Sequence, residues 1–389
     1  MTPRASIIGW NHSKFGRLDE PDVTSLIGSV VPQALAHAEV SADEVDGIFV
    51  GVYNNGFSTQ GFEASLVGVA HPELAHVAAT HVENACGTGS AAVYAAVDFI
   101  ESGRGEVALV VGAEKMTAVD TRRTGAILLT ACYQPEESDV SGGFAGVFAS
   151  IASAYAERHG DPSAAMATIA AKNHHNGMTN PYAQLHKDFG FDFCNTVSDK
   201  NPYVAAPLRR TDCSLISDGA VALVITSADR AAGAPRRVSF RARAHASDFL
   251  PLSQRDPIEF AGARRAWNQA LDAAATTTFD LDFIETHDCF TIAELIQYEV
   301  FGLAQPGRGR EVLDEGIPFP DGKLPINRSG GLKAKGHPIG ATGVSMHAIA
   351  AMQLTGEAGG FQLDNAELGG VFNMGGTAVA NYASILERW

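Results

Sequence analysis

The 389-residue sequence predicts an α/β layered fold with buried sheets, and three patterns support this prediction. Apolar, strand-like runs alternate with alanine-rich helical patterns, two halves of the chain echo each other, and a less regular segment separates them. The alternation runs through the stretches VDGIFVGVY, EVALVVGAE, LDFIET, TIAELIQYEVFG, GATGVSMHAIAAMQL and LGGVFNMGG. Such an order of strands and helices predicts sheets covered by helices.

The echo between the halves involves both strands and helices. VDGIFVG at 45–51 resembles LDFIETH at 281–287, and CGTGSAAVYAAVDFI at 86–100 resembles GATGVSMHAIAAMQL at 340–354. Each pair is a strand or a small-residue loop that opens a helix. A duplicated βαβαβ unit would produce this pattern, although alanine-rich helices also resemble each other by chance.

The duplication divides the chain into an N-terminal half at 1–235 and a C-terminal half at 236–389. The stretch ADRAAGAPRR, at 228–237, is the expected connection between them. Residues from about 118 to 215 are rich in His, Asn, Pro and Tyr, and we interpret them as a loop-rich insertion in the first half. Inserted loops on a rigid scaffold often carry substrate contacts.

Composition and charge exclude several classes of protein. The 28 Lys and Arg against 44 Asp and Glu give a net charge of −16, and no basic run is present, so a nucleic-acid partner is not expected. No stretch reaches the roughly 18 apolar residues of a membrane helix, and the first residues do not resemble a signal peptide, so we expect a cytoplasmic protein. Five widely spaced cysteines without a CxxC pair argue against a disulfide framework and a structural zinc site.

Cys86 lies between a strand-like run and a helix that begins with small residues, in the stretch NACGTGSAA. A helix N-terminus leaves N–H groups unpaired and carries the positive end of the dipole, so we expect a lowered pKa for this thiol. Gly87 and Gly89 let a substrate approach the backbone, and the Cys86 N–H is a candidate oxyanion donor. These features predict an acyl-accepting nucleophile, and the alternative is a buried cysteine packed under the helix.

Two further stretches carry titratable side chains where ligands commonly bind. In NRSGGLKAKGHPIGATG, His337 lies in a glycine-dense loop before a helix, which indicates tight turns around a ligand. In ETHDCFTIAE, His287, Asp288 and Cys289 follow an apolar strand, at the end of a strand where open α/β sheets build their sites. The alternatives are a loop histidine without a role and a helix-capping role for Asp288.

Taken together, these stretches make the whole chain resemble the thiolases, most closely the sterol-carrier-protein type of thiolase. The resemblance is carried by NACGTGSAA, KNHHNGMTNPYAQ, PLRRTDCSLISDGAVALVI at 207–225, HDCF at 287–290, GGLKAKGHPIGATG and NMGGTA. It implies the thiolase fold, in which two βαβαβαββ units related by a pseudo-dyad form five α-β-α-β-α layers. A loop domain is inserted in the first unit.

Carried over position by position, the resemblance implies a role for each site residue. Cys86 would take an acyl group from acyl-CoA, and His337 would deprotonate that thiol and help to hold a thioester oxygen. His287 replaces the oxyanion-hole asparagine of the NEAF motif of common thiolases. NMG replaces their second catalytic cysteine, so Cys289 is the implied acid/base. The N–H groups of Cys86 and Gly375 would form the second oxyanion hole.

The resemblance also implies partners and substrates. Coenzyme A or acyl-CoA is the implied substrate, with no permanently bound cofactor and no metal. Because coenzyme A is an anion, it needs a local basic patch, for which the candidates are Arg122, Arg123, Lys172, Arg209, Arg210, Lys333 and Lys335. A homodimer or tetramer is implied, and the stretch HVAATHVENA is the candidate interfacial strand.

Three functions are compatible with the sequence. The first is thiolytic cleavage of a 3-oxoacyl-CoA, or the reverse Claisen condensation, in fatty acid or steroid degradation. The second is a thiolase-fold acyltransferase or steroid side-chain retro-aldolase in complex with a small zinc-ribbon/OB-fold protein, and the third is a non-catalytic subunit. The first is favoured because the aldolases are expected to lack the nucleophilic cysteine and a scaffold has no use for four reactive side chains.

Overall fold

The first half of the chain alternates strands and helices, and the computed structural model describes residues 5–389. Its elements before the inserted segment are β1 (Ser6–His12), α1 (Val23–Ala38), β2 (Gly47–Gly51), α2 (Leu66–Ala70), β3 (Ala79–Val82), α3 (Thr88–Glu101) and β4 (Val107–Lys115). The inserted segment contains α4 (Thr121–Leu129), α5 (Gln134–Glu137), α6 (Gly143–His159), α7 (Ser163–Gly177), α8 (Gly190–Asn195), β5 (Tyr203–Ala205) and β6 (Leu208–Arg209). The half ends with β7 (Asp218–Thr226) and α9 (Ala228–Ala231).

The second half follows the same scheme without a large insertion. Its elements are β8 (Val238–Ser247), α10 (Ala261–Ala274), β9 (Phe283–Thr286), α11 (Thr291–Val300), α12 (Gly309–Asp314), α13 (Gly331–Ala334), α14 (Ile339–Thr355), β10 (Leu368–Gly375) and β11 (Ala380–Arg388).

Nine strands form one continuous sheet that contains both halves, in the order β3-β2-β4-β7-β1-β8-β11-β10-β9. In the first half β2 pairs parallel with β3 and β4, and β7 pairs antiparallel with β4 and β1. In the second half β9 pairs parallel with β10 and with an isolated bridge at Ile326, and β11 pairs antiparallel with β10 and β8. The two halves therefore repeat one strand order, and the equivalence of β2 with β9 that the sequence predicted is confirmed.

The helices complete five layers. Helices α1 and α2 cover the outer face of the first-half strands, and α10 and α11 cover the second-half strands. Between the two sets of strands lie α3 and α14, the two helices that the sequence echo paired. Helix α14 is buried from Ile339 to Leu354, which explains why its sequence is apolar on every side. This arrangement confirms the predicted α-β-α-β-α layers.

The inserted segment is more helical than its sequence led us to expect. Helix α6 has 17 residues and α7 has 15, and both are rich in alanine, the residue with the highest helix propensity. Helix α7 packs on α11 and α13 of the second half. The segment is therefore part of the framework that holds the second-half loops as well as a set of loops over a site.

No helix in the described part of the chain combines the length and the apolar composition that a membrane crossing requires. All five cysteines lie within residues 5–389, and each is a free thiol.

Candidate functional site

Cys86 occupies a sharp turn between β3 and α3. The turn is closed by the Gly87 N–H, which donates to the Asn84 carbonyl at 3.0 Å, and Ala85 has the left-handed φ of 48°. A non-glycine residue pays a conformational penalty in that region, and such strain is concentrated at functional sites. The turn presents the Cys86 thiol one residue before the N-cap of α3.

The pKa of the Cys86 thiol does not follow the sequence prediction. The side chain is only 6% exposed, and its burial, with the nearby Glu114 and Glu83 carboxylates, raises the pKa to about 12. Hydrogen bonds from the backbone N–H groups of Gly376 and Cys86 act in the opposite direction but are outweighed. The expectation of a lowered pKa was wrong because desolvation exceeds the effect of the helix end. The resting thiol is neutral and needs a base.

His337 lies beside the thiol, in the loop between α13 and α14. Gly336 has a φ of +116°, and a Cβ there would stand 2.8 Å from the Ser217 Oγ, so glycine is required at this turn. The Ser217 hydroxyl accepts the His337 N–H at 2.9 Å. Burial, and then the Lys335 charge, lowers the His337 pKa to about 3, so the imidazole is neutral at physiological pH and can act as a base.

His287 lies at the end of β9, next to His337. The two rings meet edge to face with centroids 5.0 Å apart, and the Cys86 Sγ and one nitrogen of each ring all lie within 4.8 Å of one another. The His287 side chain is fully buried, and its Nε2 has no hydrogen-bond partner. Burial, with the neighbouring His337, lowers its pKa well below the usual value. The three residues from distant parts of the sequence are therefore brought together.

Cys289 lies on the wall of a cavity that also exposes Cys86 and His337. Burial, and then the proximity of Cys86, raises the Cys289 pKa well above its usual value. Its carbonyl accepts the Ser214 N–H at 2.8 Å, and Cys213 forms a β-bridge with Phe290. The end of the inserted segment therefore fixes the HDCF loop in place.

The cavity has a volume of about 280 Å³ and is mostly apolar. His287 is not among its lining residues, but a nitrogen of its ring lies within 4.8 Å of the Cys86 Sγ and of a His337 nitrogen. The lining residues are Cys86, Met116, Thr121, Thr124, Gly125, Leu128, Gly142, Phe144, Ala145, Val204, Cys213, Ser214, Leu215, Ile216, Cys289, Phe290 and His337. A pocket of this character suits an acyl chain or another apolar group next to the reactive thiol.

Asp288 links the HDCF loop to the loop of His337. Its carboxylate accepts the N–H groups of Leu332 at 2.6 Å and Lys333 at 3.2 Å, and it accepts the Asn173 side-chain amide at 2.8 Å. The capping role considered for Asp288 is thus present, but at α13 rather than at the helix that follows it in sequence. Burial, and then the Glu294 charge, raises the Asp288 pKa to about 7.

The NMGG stretch at the end of β10 contacts the Cys86 turn from the other half. A Cβ on Gly375 would stand 2.6 Å from the Asn84 carbonyl oxygen, so only glycine lets the two backbones approach. The Gly376 N–H hydrogen-bonds to the Cys86 sulfur. The oxyanion-hole role that the family resemblance implies for the Gly375 N–H stays a prediction. The second glycine of the motif was the available signal for this donor.

The structure corrects four of the seven candidate coenzyme A contacts. Lys172 is fully buried in an ion pair with Glu294 at 2.8 Å, and Arg209 is buried in an ion pair with Asp212 at 2.7 Å. Both charges are therefore satisfied inside the protein, and neither faces a ligand phosphate.

Lys333 and Lys335 are buried as well. The Lys333 ammonium donates to the Cys213 carbonyl at 2.6 Å, and the Lys335 ammonium donates to the Ser345 hydroxyl at 2.8 Å. The remaining candidates Arg122, Arg123 and Arg210 are exposed. A basic residue inside an α/β core has no distinct sequence signal, which is why all seven looked equivalent.

Comparison with known proteins identifies the family. The family model described as "Thiolase, N-terminal domain" matches residues 6–190, and the one described as "Thiolase C-terminal domain-like" matches residues 244–388. The Acetyl-CoA acetyltransferase of Methanothermobacter thermautotrophicus is 34% identical over 387 residues, which cover 98% of this chain and 99% of the relative. Sterol carrier protein 2 of Oryctolagus cuniculus is 31% identical and covers 96% of this chain and 70% of its own length.

The fold has close counterparts among solved structures. A structure described as "Ltp2-ChsH2(DUF35) aldolase" superposes with a TM-score of 0.84 at 20% sequence identity, and the match covers 100% of this chain and 99% of that one. At 20% identity, this match supports the fold of the chain and not its activity. The 34% identity over almost the full length, with both family matches, shows that this chain belongs to the thiolase family.

Proposed function

We propose that the chain cleaves 3-oxoacyl-CoA with free coenzyme A, or condenses two acyl-CoA molecules in the reverse direction, through an acyl group on Cys86. The observation that carries this proposal is the convergence of the Cys86 thiol with the His287 and His337 imidazoles within 4.8 Å, at a cavity that also exposes Cys289. The relatives named Acetyl-CoA acetyltransferase support a thioester substrate.

The first half-reaction transfers an acyl group to sulfur. His337 takes the Cys86 proton as the sulfur attacks the thioester carbonyl, because the thiol is neutral at rest and the imidazole is neutral as well. The carbonyl oxygen becomes an oxyanion that the backbone N–H groups near Cys86 stabilise. When the carbonyl re-forms, the bond to the coenzyme A sulfur breaks, and the proton on His337 passes to that thiolate.

The second half-reaction forms the carbon–carbon bond. In its thiolate form, Cys289 removes a proton from the α-carbon of the second acyl-CoA, and the enolate oxygen is held by hydrogen bonds from the site. The α-carbon attacks the acyl carbon on Cys86 and the carbon–sulfur bond breaks. The proton that Cys289 took from the α-carbon then passes to the Cys86 thiolate, which restores the thiolate of Cys289. Cleavage runs the same steps backwards, with Cys289 delivering the proton to the leaving α-carbon.

A steady-state assay of the purified chain tests this proposal. We expect thiolysis of acetoacetyl-CoA by free coenzyme A, and we expect Cys86→Ala to lose activity by at least about 10³-fold because the acyl acceptor is gone. Circular dichroism of the variant checks that the fold is retained. Full activity of Cys86→Ala would contradict the proposal.

A second candidate function is favoured by one comparison. The structural neighbour with the TM-score of 0.84 is described as an aldolase with a DUF35 protein. An aldolase or acyltransferase that acts in complex with a partner, a small zinc-ribbon/OB-fold protein, is also among the functions compatible with the sequence. Lack of turnover by the purified chain, with turnover restored when such a partner is co-expressed, would favour this candidate over the first.

Arg122 and Arg123 are proposed to bind the phosphates of coenzyme A. They are exposed at the start of α4, whose residues Thr121 and Thr124 line the cavity. We expect the double variant Arg122→Ala/Arg123→Ala to raise the KM for coenzyme A about fivefold or more, with kcat retained, because phosphate contacts far from the reacting atoms contribute to binding alone.

The matched control for this experiment is Arg310→Ala. Arg310 is also exposed, and it pairs with Asp314 on α12 at 3.2 Å. Removing the Arg310 side chain should leave the KM for coenzyme A and kcat unchanged. An unchanged KM in the double variant would show that the phosphates bind elsewhere, for which the exposed Arg210 is the next candidate.

The chain is proposed to act as a homodimer that assembles through β3. This strand is the edge of the nine-stranded sheet and is exposed along most of its length, and the side chain of the nearby Phe62 is 80% exposed. Exposed strand edges are covered in stable proteins, and a second copy would cover this one. A solution mass of one chain by light scattering would contradict the proposal.

We further propose that the chain acts in the cytoplasm, in the degradation of acyl groups derived from fatty acids or steroids. The relatives named Sterol carrier protein 2 support a lipid-derived substrate.

A further inference from the structure

Each of the two site histidines has its Nδ1 atom held by a neighbouring side chain. The His337 Nδ1 is 2.7 Å from the Thr342 hydroxyl, and the His287 Nδ1 is 2.8 Å from the Asn373 amide nitrogen. Both imidazoles are neutral at physiological pH, so each carries one hydrogen, on either Nδ1 or Nε2. The hydrogen-bond partners decide which.

Thr342 makes its second contact with an atom that can only accept. Its hydroxyl donates to the Pro338 carbonyl oxygen at 2.9 Å. A hydroxyl has a single hydrogen, so this contact and the one to His337 are both satisfied only if the His337 Nδ1 donates. The His337 Nε2 then carries a lone pair, which is the form that a base requires.

Asn373 imposes the opposite state on His287. Its amide nitrogen donates to the Cys86 carbonyl oxygen at 3.1 Å as well as to the His287 Nδ1. Rotating the amide by half a turn would place its own oxygen against the Cys86 carbonyl oxygen, where two acceptors repel. The His287 Nδ1 therefore accepts, and the hydrogen of this ring lies on Nε2, the buried atom without a partner.

We propose that Asn373 is a positioning residue that locks His287 in its Nε2–H form, while Thr342 holds His337 in its Nδ1–H form. This inference rests on the proposed function, because it assigns a different catalytic role to each of the two rings. His287 becomes a fixed hydrogen-bond donor for a thioester or enolate oxygen, and His337 becomes the base for the Cys86 proton. Asn373 occupies the place of the second cysteine of common thiolases, and its contact with the Cys86 carbonyl ties the donor to the nucleophile.

The tautomers are read directly by nitrogen NMR of the full chain with 15N-labelled histidine. Long-range nitrogen–proton correlation distinguishes a protonated from an unprotonated ring nitrogen, and the variants His287→Gln and His337→Gln assign the signals. We expect His287 to be protonated at Nε2 alone and His337 at Nδ1 alone. A hydrogen on the His287 Nδ1 would overturn the proposal. The spectrum requires no activity, so an inactive chain with these tautomers would count against the proposed function and not against this inference.

Kinetics of Asn373→Asp provide the second readout. A carboxylate can only accept, so the oxygen that faces His287 moves a hydrogen onto the His287 Nδ1 and raises the pKa of that ring, while the contact with the Cys86 carbonyl is lost. Above the raised pKa the ring is neutral, its Nε2 has no hydrogen, and the donor is lost. Below it the imidazolium carries both hydrogens, and the donor returns. We expect kcat at alkaline pH to fall by about 10²-fold with little change in KM, and to recover as the pH is lowered.

The other titratable groups around His287 are present in the unmodified chain and in Asn373→Asp. The measurement is therefore the difference between the pH profiles of kcat of these two proteins. These groups are Cys86, Asp288, Cys289 and His337, of which Asp288 has a pKa of about 7. The matched control is Asn381→Asp, which buries the same new carboxylate on the adjacent strand β11, where the Asn381 amide contacts only backbone carbonyls. An equal loss in both variants, or a wild-type kcat for Asn373→Asp, would overturn the proposal.

Discussion

Replacing Cys289 by alanine is expected to abolish formation and cleavage of the carbon–carbon bond while Cys86 still accepts an acyl group. Cys289 shares the cavity wall with Cys86 and His337, and its burial makes its thiolate a strong base. General acid–base catalysis typically contributes 10² to 10⁴ in rate, so we expect kcat for thiolysis to fall by about 10³-fold. Acylation of Cys86 does not use Cys289 and should proceed.

Two measurements on this variant separate the half-reactions. Steady-state thiolysis of acetoacetyl-CoA reports the bond cleavage, and the intact mass after exposure to acetyl-CoA reports acylation. Cys213→Ala is the matched control, because Cys213 also lines the cavity but lies outside the predicted catalytic group. Its activity should be close to that of the unmodified chain. If Cys289→Ala kept full activity, a water molecule would have to move the proton.

Gly343→Ala is expected to destabilise the fold by at least about 3 kcal/mol, the upper end of the usual effect of overpacking. Gly343 lies where α14 crosses α3, and a Cβ there would stand 2.2 Å from the Ser90 backbone nitrogen. Gly89 on α3 faces the same contact, with a Cβ position 2.7 Å from the Gly343 nitrogen. Backbone atoms on both sides cannot move away, so the central layer would have to separate.

Urea unfolding followed by circular dichroism measures this effect. Gly61→Ala is the control, because a Cβ at Gly61 meets no atom within 4 Å and its φ lies outside the left-handed region. The control should change the free energy of unfolding by less than about 0.5 kcal/mol. A Gly343→Ala variant as stable as this control would show that the close approach of the two helices is not needed.

The layered fold was predictable because it depends on patterns that repeat along the chain. The echo of β2 in β9 and of α3 in α14 marked equivalent positions in the two halves, since each half uses the same residue types to fill the same layer. The helices of the inserted segment were not predicted, because attention to its histidines, asparagines and prolines obscured the alanine-rich stretches of α6 and α7. The contact of α7 with the second half has no local signal at all.

The motifs identified the residues that meet at the candidate site but not their electrostatics. Cys86, His287, Cys289 and His337 stand in recognisable stretches, and the structure brings the first, second and fourth within 4.8 Å. The direction of the Cys86 pKa shift depends on burial, which a helix N-terminus in sequence does not reveal. The contact of Gly376 with the Cys86 sulfur and the contacts of Asn373 with Cys86 and His287 were not predicted, because they join residues that are distant in the sequence.

Mapping the acyl group on the protein tests the central claim most directly. The chain is mixed with acetyl-CoA, quenched in acid and digested, and the peptides that carry each of the five cysteines are weighed by mass spectrometry. We predict one acetyl group, on the peptide that contains Cys86, and its disappearance when free coenzyme A is added before the quench. An unmodified Cys86, or acetyl groups spread over several cysteines, would contradict the assignment of this thiol as the nucleophile.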